Sequence, residues 1–252
     1  MTKQADNARA FAAMHIKGDP VVLWNIWDAG SARAVVEAGA SAVATGSWSV
    51  AAALGHDDGE DLPMGDALRA AAQIVAAVDV PVSVDFESGY SADPATVGAH
   101  AAELIATGAV GLNLEDRIIC GSGLFDTTTQ AAKITAVRAA ADAAGVPFYI
   151  NARTDVFLGE IHDDPGAAVA DVLARAVAYA DAGASGLFVP GLLDLGRIAE
   201  ICAGQPLPVN VLRMGEDAPG LAALADAGVA RISHGPDPYR AMVRWIAASA
   251  ET

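Results

Sequence analysis

Asp85 and Glu87 stand two apart in the segment VDFESGY, so on an extended strand both side chains leave the same side of the pleat. Glu115, in GLNLED, ends another apolar run and brings a third carboxylate to the same edge if the two runs are neighbours. Three uncompensated carboxylates repel one another, so the group either binds a cation or holds a proton. Hard oxygen donors with no His or Cys among them suit Mg2+, with Mn2+ as an alternative; such an ion keeps several waters and bridges to an anionic substrate. The competing reading has these acids capping helices or pairing with Arg153 at a rim. Placement at the ends of two adjacent strands favours the metal.

What must position these residues is a recurring unit: a short β-branched apolar run, a polar or glycine-rich turn, then an alanine-rich helical pattern closing on EAGA, DAAGVP, DAGASG or similar. Strands are predicted at Val21 to Asn25, Ala42 to Thr45, Val82 to Asp85, Gly111 to Glu115, Phe148 to Arg153, Gly186 to Val189, Val209 to Leu212 and Arg231 to Ser233. Helices are predicted at 30–38, 64–78, 94–107, 127–144, 165–182, 194–203, 217–227 and 237–249. Strands apolar on both faces and alternating with helices imply a parallel sheet covered by helices, and about eight such units in 252 residues imply a closed (β/α)8 TIM barrel. With no linker or break in composition, residues 1–252 read as one domain. In such a barrel the chemistry sits at the C-terminal ends of the strands. Those positions hold Asn25, Trp27 and Asp28; Thr45, Gly46, Ser47 and Trp48; Asp85 and Glu87; Asn113, Glu115 and Asp116; Asn151, Arg153 and Asp155; Asn210; and His234. Trp27 and Trp48 are candidate apolar walls of a pocket, Asn113 a candidate substrate contact.

Composition narrows the classes. Hydrophobic residues make up 53% and charged residues 18%, which excludes a disordered chain, and the formal charge of −16 repels phosphate backbones and anionic lipid surfaces. No nucleic-acid or membrane partner is therefore expected. The uncharged run 38–55 has three glycines and four Ser or Thr, which suits a buried strand, a loop and the start of a helix better than a membrane span. Two cysteines make no disulfide framework, and the first fifteen residues lack the apolar stretch of a signal peptide, so a cytoplasmic location is expected. P-loop, GxGxxG, HExxH and GxSxG motifs are absent.

Taken in order, NIWDAGSAR, ATGSWSVAAALGHDDGED, VDFESGY, GLNLED, NARTD, PVNVL and RISHGP resemble successive motifs of the isocitrate lyase/phosphoenolpyruvate mutase superfamily. The resemblance spans about residues 21 to 238. It implies that Asp85 contacts Mg2+ directly, while Glu87, Glu115 and Asp58 hold the ion through its waters; Glu87 stands where many members have Asp. Thr45, Gly46 and Ser47 match the loop that grips a substrate carboxylate, Arg153 matches the arginine that binds the substrate oxyanion, and Asn210 and His234 match pocket-lining positions. The implied activity is Mg2+-dependent cleavage of a bond to C3 of a small 2-oxo or 2-hydroxy carboxylate, through a metal-stabilised enolate.

The loop after GLNLED departs from the family pattern. Cys120, a candidate loop acid, follows Asp116 by four residues, lacks the basic pair of the isocitrate-type lyases and has Ser122 where they have His. The lysine of the phosphonate members is missing too, since the lysines are Lys3, Lys17 and Lys133. A carbon–carbon lyase, including oxaloacetate decarboxylation, is therefore expected ahead of phosphoenolpyruvate mutase or phosphonopyruvate hydrolase chemistry. A non-catalytic 2-oxo-acid binder is a further reading. The apolar face of Tyr239, Met242, Val243, Trp245 and Ile246 suggests a homodimer or homotetramer with an exchanged last helix.

Overall fold

The computed structural model describes residues 2–119, 121–159 and 161–250. Among them nine strands pair in parallel: β1 (Val21–Leu23), β2 (Asn25–Ile26), β3 (Val43–Thr45), β4 (Val82–Asp85), β5 (Gly111–Glu115), β6 (Tyr149–Arg153), β7 (Gly186–Val189), β8 (Val209–Leu212) and β9 (Arg231–Ser233). Their order is β1-β9-β8-β7-β6-β5-β4-β3-β2. The predicted first strand is thus two short pieces separated by Trp24. Val21 to Leu23 pair with β9 on one side, Asn25 and Ile26 pair with β3 on the other, and the continuous chain through Trp24 closes the ring. The result is a (β/α)8 TIM barrel whose first strand is shared between its two neighbours.

Helices α2 (Ala29–Glu37), α3 (Ser47–Leu54), α4 (Met64–Ala77), α5 (Pro94–Ala106), α6 (Thr127–Ala144), α7 (Pro165–Asp181), α8 (Leu195–Gly204), α9 (Leu221–Asp226) and α10 (Asp237–Ala250) follow the strands, and α1 (Lys3–Ala13) precedes them. Helix α1 was not predicted, and the helix predicted at 217–227 shrinks to α9. Part of the acidity has a local cause. Asp28, Asp93, Asp126, Asp164 and Asp194 each cap a helix, accepting first-turn amides that no intrahelical carbonyl can serve.

Helix α1 closes the end of the barrel where the strands begin. Phe11 meets Tyr149, the first residue of β6, edge to face at 5.4 Å, and Gln4 donates to the carbonyls of Ile105 and Ala109 at 2.8 Å each. Tyr149 points inward and needs the space that Gly111 and Gly186 leave: a Cβ on Gly186 would lie 2.4 Å from its hydroxyl. His15 stacks on the same ring at 4.0 Å. Beside this cluster Arg231 is fully buried, and none of its side-chain nitrogens has a hydrogen-bond partner. With the starting end plugged, polar groups bound for a ligand have access at the opposite mouth. No helix among the described residues is long and apolar enough to cross a membrane.

Candidate active site

Where the strands end, a cavity of about 140 Å3 opens, with Gly46, Ser47, Trp48, Asp58, Asp85, Asn113 and Arg153 in its wall. Phe188, Leu158, Pro190 and Leu212 supply an apolar side. Parallel register explains the convergence: Asp85 pairs with Asn113, Asn113 with Asn151, and Glu115 with Arg153, so inward residues of consecutive strands step round one rim.

Each acid has a different partner. Asp85 Oδ2 accepts from the Ser47 hydroxyl at 3.1 Å and its amide at 3.3 Å, whereas Oδ1 is buried and has no hydrogen-bond partner. Thr45 Oγ1 accepts from the Asp85 amide at 2.9 Å, fixing the backbone there. Asp58, exposed at the rim, accepts from Ser47 Oγ at 3.3 Å. Its carboxyl is pushed above the usual range by partial burial and by Asp85. Glu87 Oε2 accepts from the Glu60 amide at 2.7 Å; burial first, then Asp58 and Asp85, push its carboxyl up to about 8. Glu115 instead pairs with Arg153 at 2.8 Å.

The pairing of Glu115 with Arg153 is the competing reading of these acids, realised at one of the three positions. Among the described residues no three His, Cys, Asp or Glu side chains form a ready shell of direct metal ligands, because Glu115 is turned to Arg153 and Glu87 to the Glu60 amide. The donor set still fits a hard divalent ion held by one carboxylate and its own waters: Asp85 presents a bare buried oxygen, and burial and mutual repulsion make Asp58 and Glu87 hold protons that a cation would displace.

Arg153 lies between two acids. Besides Glu115 it makes a two-pronged pair with Asp155, Nε to Oδ1 at 2.6 Å and Nη2 to Oδ2 at 2.9 Å. Burial alone would weaken its charge, but Glu115 and Asp155 outweigh that and hold the guanidinium protonated. Asp116, fully buried, supports this arrangement from behind: it accepts from the Asp155 amide at 3.0 Å, from Arg175 at 3.0 Å and from the Tyr179 hydroxyl at 2.9 Å.

Other sequence-predicted residues lie off this cavity. Asn210 sits deeper, accepting from Ser233 Oγ at 3.2 Å. His234 stacks on Trp24 at 4.3 Å while its amide donates to Asn25 Oδ1. Trp27 packs edge to face against Tyr239 at 5.1 Å. The rings of His234 and Trp27 are thus engaged elsewhere, and neither lines the cavity. Cys120 lies outside the described residues. Of the described residues nearby, the Ile118 amide donates to the Gly123 carbonyl at 3.1 Å and the Phe125 amide to the Asp116 carbonyl at 2.7 Å. Cys202 is buried in the core, as expected of a residue on an apolar helix face. Sequence reasoning missed Glu60 and Arg175; Glu60 sits in an acid-rich GHDDGED run and Arg175 in the middle of an alanine-rich helix, where nothing distinguishes it from a surface residue.

A (β/α)8 barrel with a carboxylate-and-arginine mouth is what the resemblance to the isocitrate lyase/phosphoenolpyruvate mutase superfamily implies, and comparisons with known proteins place the chain there. The phosphoenolpyruvate phosphomutase family model matches residues 11–252, so the chain belongs to that family. A Burkholderia cenocepacia J2315 structure, named provisionally as a phosphonomutase, superposes with a TM-score of 0.95 at 48% identity, covering 98% of each chain. The 2-methylisocitrate lyase of Escherichia coli K12 is 29% identical over 82% of this chain and 70% of its own. A phosphonopyruvate hydrolase solved with oxalate and Mg2+ shares the fold, with a TM-score of 0.85 at 20% identity over 98% of this chain and 85% of that one.

Proposed function

We propose that this protein is a Mg2+-dependent lyase that breaks a carbon–carbon bond in a small 2-oxo or 2-hydroxy carboxylate, with oxaloacetate decarboxylation within its range. The observation that carries this reading is the pairing, in one small cavity, of Asp85 with a bare buried oxygen and Arg153 held in its charged form. Relatives that cleave related acids, and one that binds oxalate with Mg2+, support it.

Asp85 would hold the ion, with Asp58, Glu87 and Glu115 taking its waters. Bound there, Mg2+ supplies Lewis-acid charge that favours an enolate over the keto acid. The chain's own residues do the rest. Gly46 caps α3 without a side-chain hydrogen bond and the Ser47 amide is taken by Asp85, so the helix N-terminus beside Trp48 offers its positive dipole end to a substrate carboxylate. Arg153, fixed by Glu115 and Asp155, meets the oxygen on which negative charge develops as the bond to C3 breaks and its electron pair moves toward that oxygen. Phe188 and Leu158 keep water from the apolar side.

The compact loop from Arg117 to Phe125 brings no lysine to the cavity, and decarboxylation, which needs enolate stabilisation and no elaborate loop acid, suits it. The 48% identical structure favours phosphorus–carbon chemistry as the second reading. Calorimetry of oxalate with and without Mg2+, followed by turnover assays on oxaloacetate, 2-methylisocitrate and phosphonopyruvate, tests both. Tight binding that requires Mg2+ is expected; no binding in either condition rejects the site. Val243, Trp245 and Ile246 are exposed on α10, which buries no residue of its own, and through this face we expect a homodimer or homotetramer by light scattering.

A further inference from the structure

We infer that Glu60 is a positioning residue for the proposed metal site: it locks the turn after β4 so that the Glu87 carboxylate stays beside Asp58 and Asp85. This rests on the reading of those acids as the ion's holders. Glu60 lies in the segment between α3 and α4, two residues past Asp58, and exchanges hydrogen bonds with the turn in both directions. Its amide donates to Glu87 Oε2 at 2.7 Å. Its own Oε1 accepts from the Ser88 amide at 3.1 Å, the Ser88 hydroxyl at 2.7 Å and the Tyr90 amide at 2.8 Å. One carboxylate oxygen thus gathers Ser88 and Tyr90, the first and third residues after Glu87, while the backbone of the same residue holds the Glu87 side chain.

The backbone shows why a clamp is needed. Glu60, Glu87 and Tyr90 have φ of 60°, 50° and 57°, a left-handed region that residues with a Cβ seldom occupy unless the surroundings impose it. Gly89, between Glu87 and Tyr90, has φ 89°, and a Cβ there would lie 2.8 Å from Val97. Released from Glu60, the turn has an incentive to relax toward extended or right-handed conformations, and the Glu87 carboxyl then leaves its place beside Asp58 and Asp85.

The test compares Glu60→Ala, Glu60→Gln and Ser88→Ala with the unmodified protein. Glu60→Ala should raise the Mg2+ concentration that half-saturates oxalate binding by about tenfold, the scale on which residues behind a metal's ligands act. Oxalate affinity at saturating Mg2+ should stay near that of the unmodified protein. Glu60→Gln, which keeps an acceptor oxygen, should restore most of the difference, and Ser88→Ala, which removes one donor and cannot unfold the segment, should give a smaller shift of the same sign. Hydrogen exchange supplies a readout that needs no metal: the Ser88 and Tyr90 amides should lose protection in Glu60→Ala and regain it in Glu60→Gln. Unchanged protection of those amides, or an unchanged Mg2+ requirement in Glu60→Ala, overturns the positioning role. If the unmodified protein fails to bind oxalate with Mg2+, the proposed function fails, while the exchange data still decide for or against the clamp.

Discussion

Two arginines stand at opposite ends of this barrel. Arg153, at the mouth, is pinned by Glu115 and Asp155, and its charge is reinforced; Arg231, near the starting end, has no acid in hydrogen-bond reach and lies over the Phe11 ring, and burial pulls its guanidinium down to about 10. The difference teaches where each charge was put to use. At the mouth, opposite charges are concentrated around a cavity and compensate one another, ready to exchange protein partners for a ligand. At the starting end, the cation shares its surroundings with Phe11, Tyr149 and His15, and that burial is uncompensated.

The largest expected effect that separates the two ends is on stability. Arg153→Met strands Glu115 and Asp155 without their cation, and breaking a buried pair by removing one partner costs about 3–5 kcal/mol. Denaturant unfolding at neutral pH should show a loss of that size, and oxalate should no longer bind. Arg231→Met removes a cation with no acid in hydrogen-bond reach and gives up only its contact with the Phe11 ring, so its loss of stability should be well below that of Arg153→Met. Equal destabilisation by the two substitutions would break the comparison.

Proton linkage sharpens it further. His15 is buried neutral, with burial first and Arg231 second pulling its imidazole from 6.5 to about 3. The unfolded chain takes up a proton below pH 6.5 and the native one does not, so this group withdraws stability as the pH falls. Between pH 6.5 and 5 that amounts to about 2 kcal/mol. A His15→Phe variant should show a flatter decline over that window. Glu87 has the opposite sign: its native carboxyl holds its proton up to about 8, so without a metal it withdraws stability as the pH rises through 4.5 to 8. Glu87→Gln should remove about 1 kcal/mol of that loss between pH 6 and 7, read by thermal unfolding in a chelating buffer. Added Mg2+ should shrink the Glu87 effect and leave the His15 effect untouched.

Much of the mouth was legible before any coordinates. The strand ends that carry Asp85, Glu115 and Arg153 follow from short apolar runs bounded by turns, and parity along each run puts their side chains on one side. The partners of those residues were not legible. Arg153 is expected either to bind an oxyanion or to pair with acids at the rim, and only folding shows that it holds Glu115 of the adjacent strand together with Asp155 of its own strand end. Glu60 belongs to a run of acids that looks like a solvated loop until folding sets it against Ser88 and Tyr90. Helix α1 escaped notice because KQADNARAFAA is weakly apolar, and Ala5, Ala8 and Phe11 acquire meaning only against the open end of a barrel.

The sequence by itself determined the period-two and helical alternation, the Asp caps and glycine stops, and hence the barrel and the edge at which its polar residues gather, because these depend on neighbours a few residues apart. Only the tertiary structure decided which acid each cation faces, which carboxylate oxygen stays bare and which rings turn away from the cavity. Those outcomes depend on strand register and on contacts between residues as distant as Asn25 and His234, and the strength of a charge depends on what else is buried beside it.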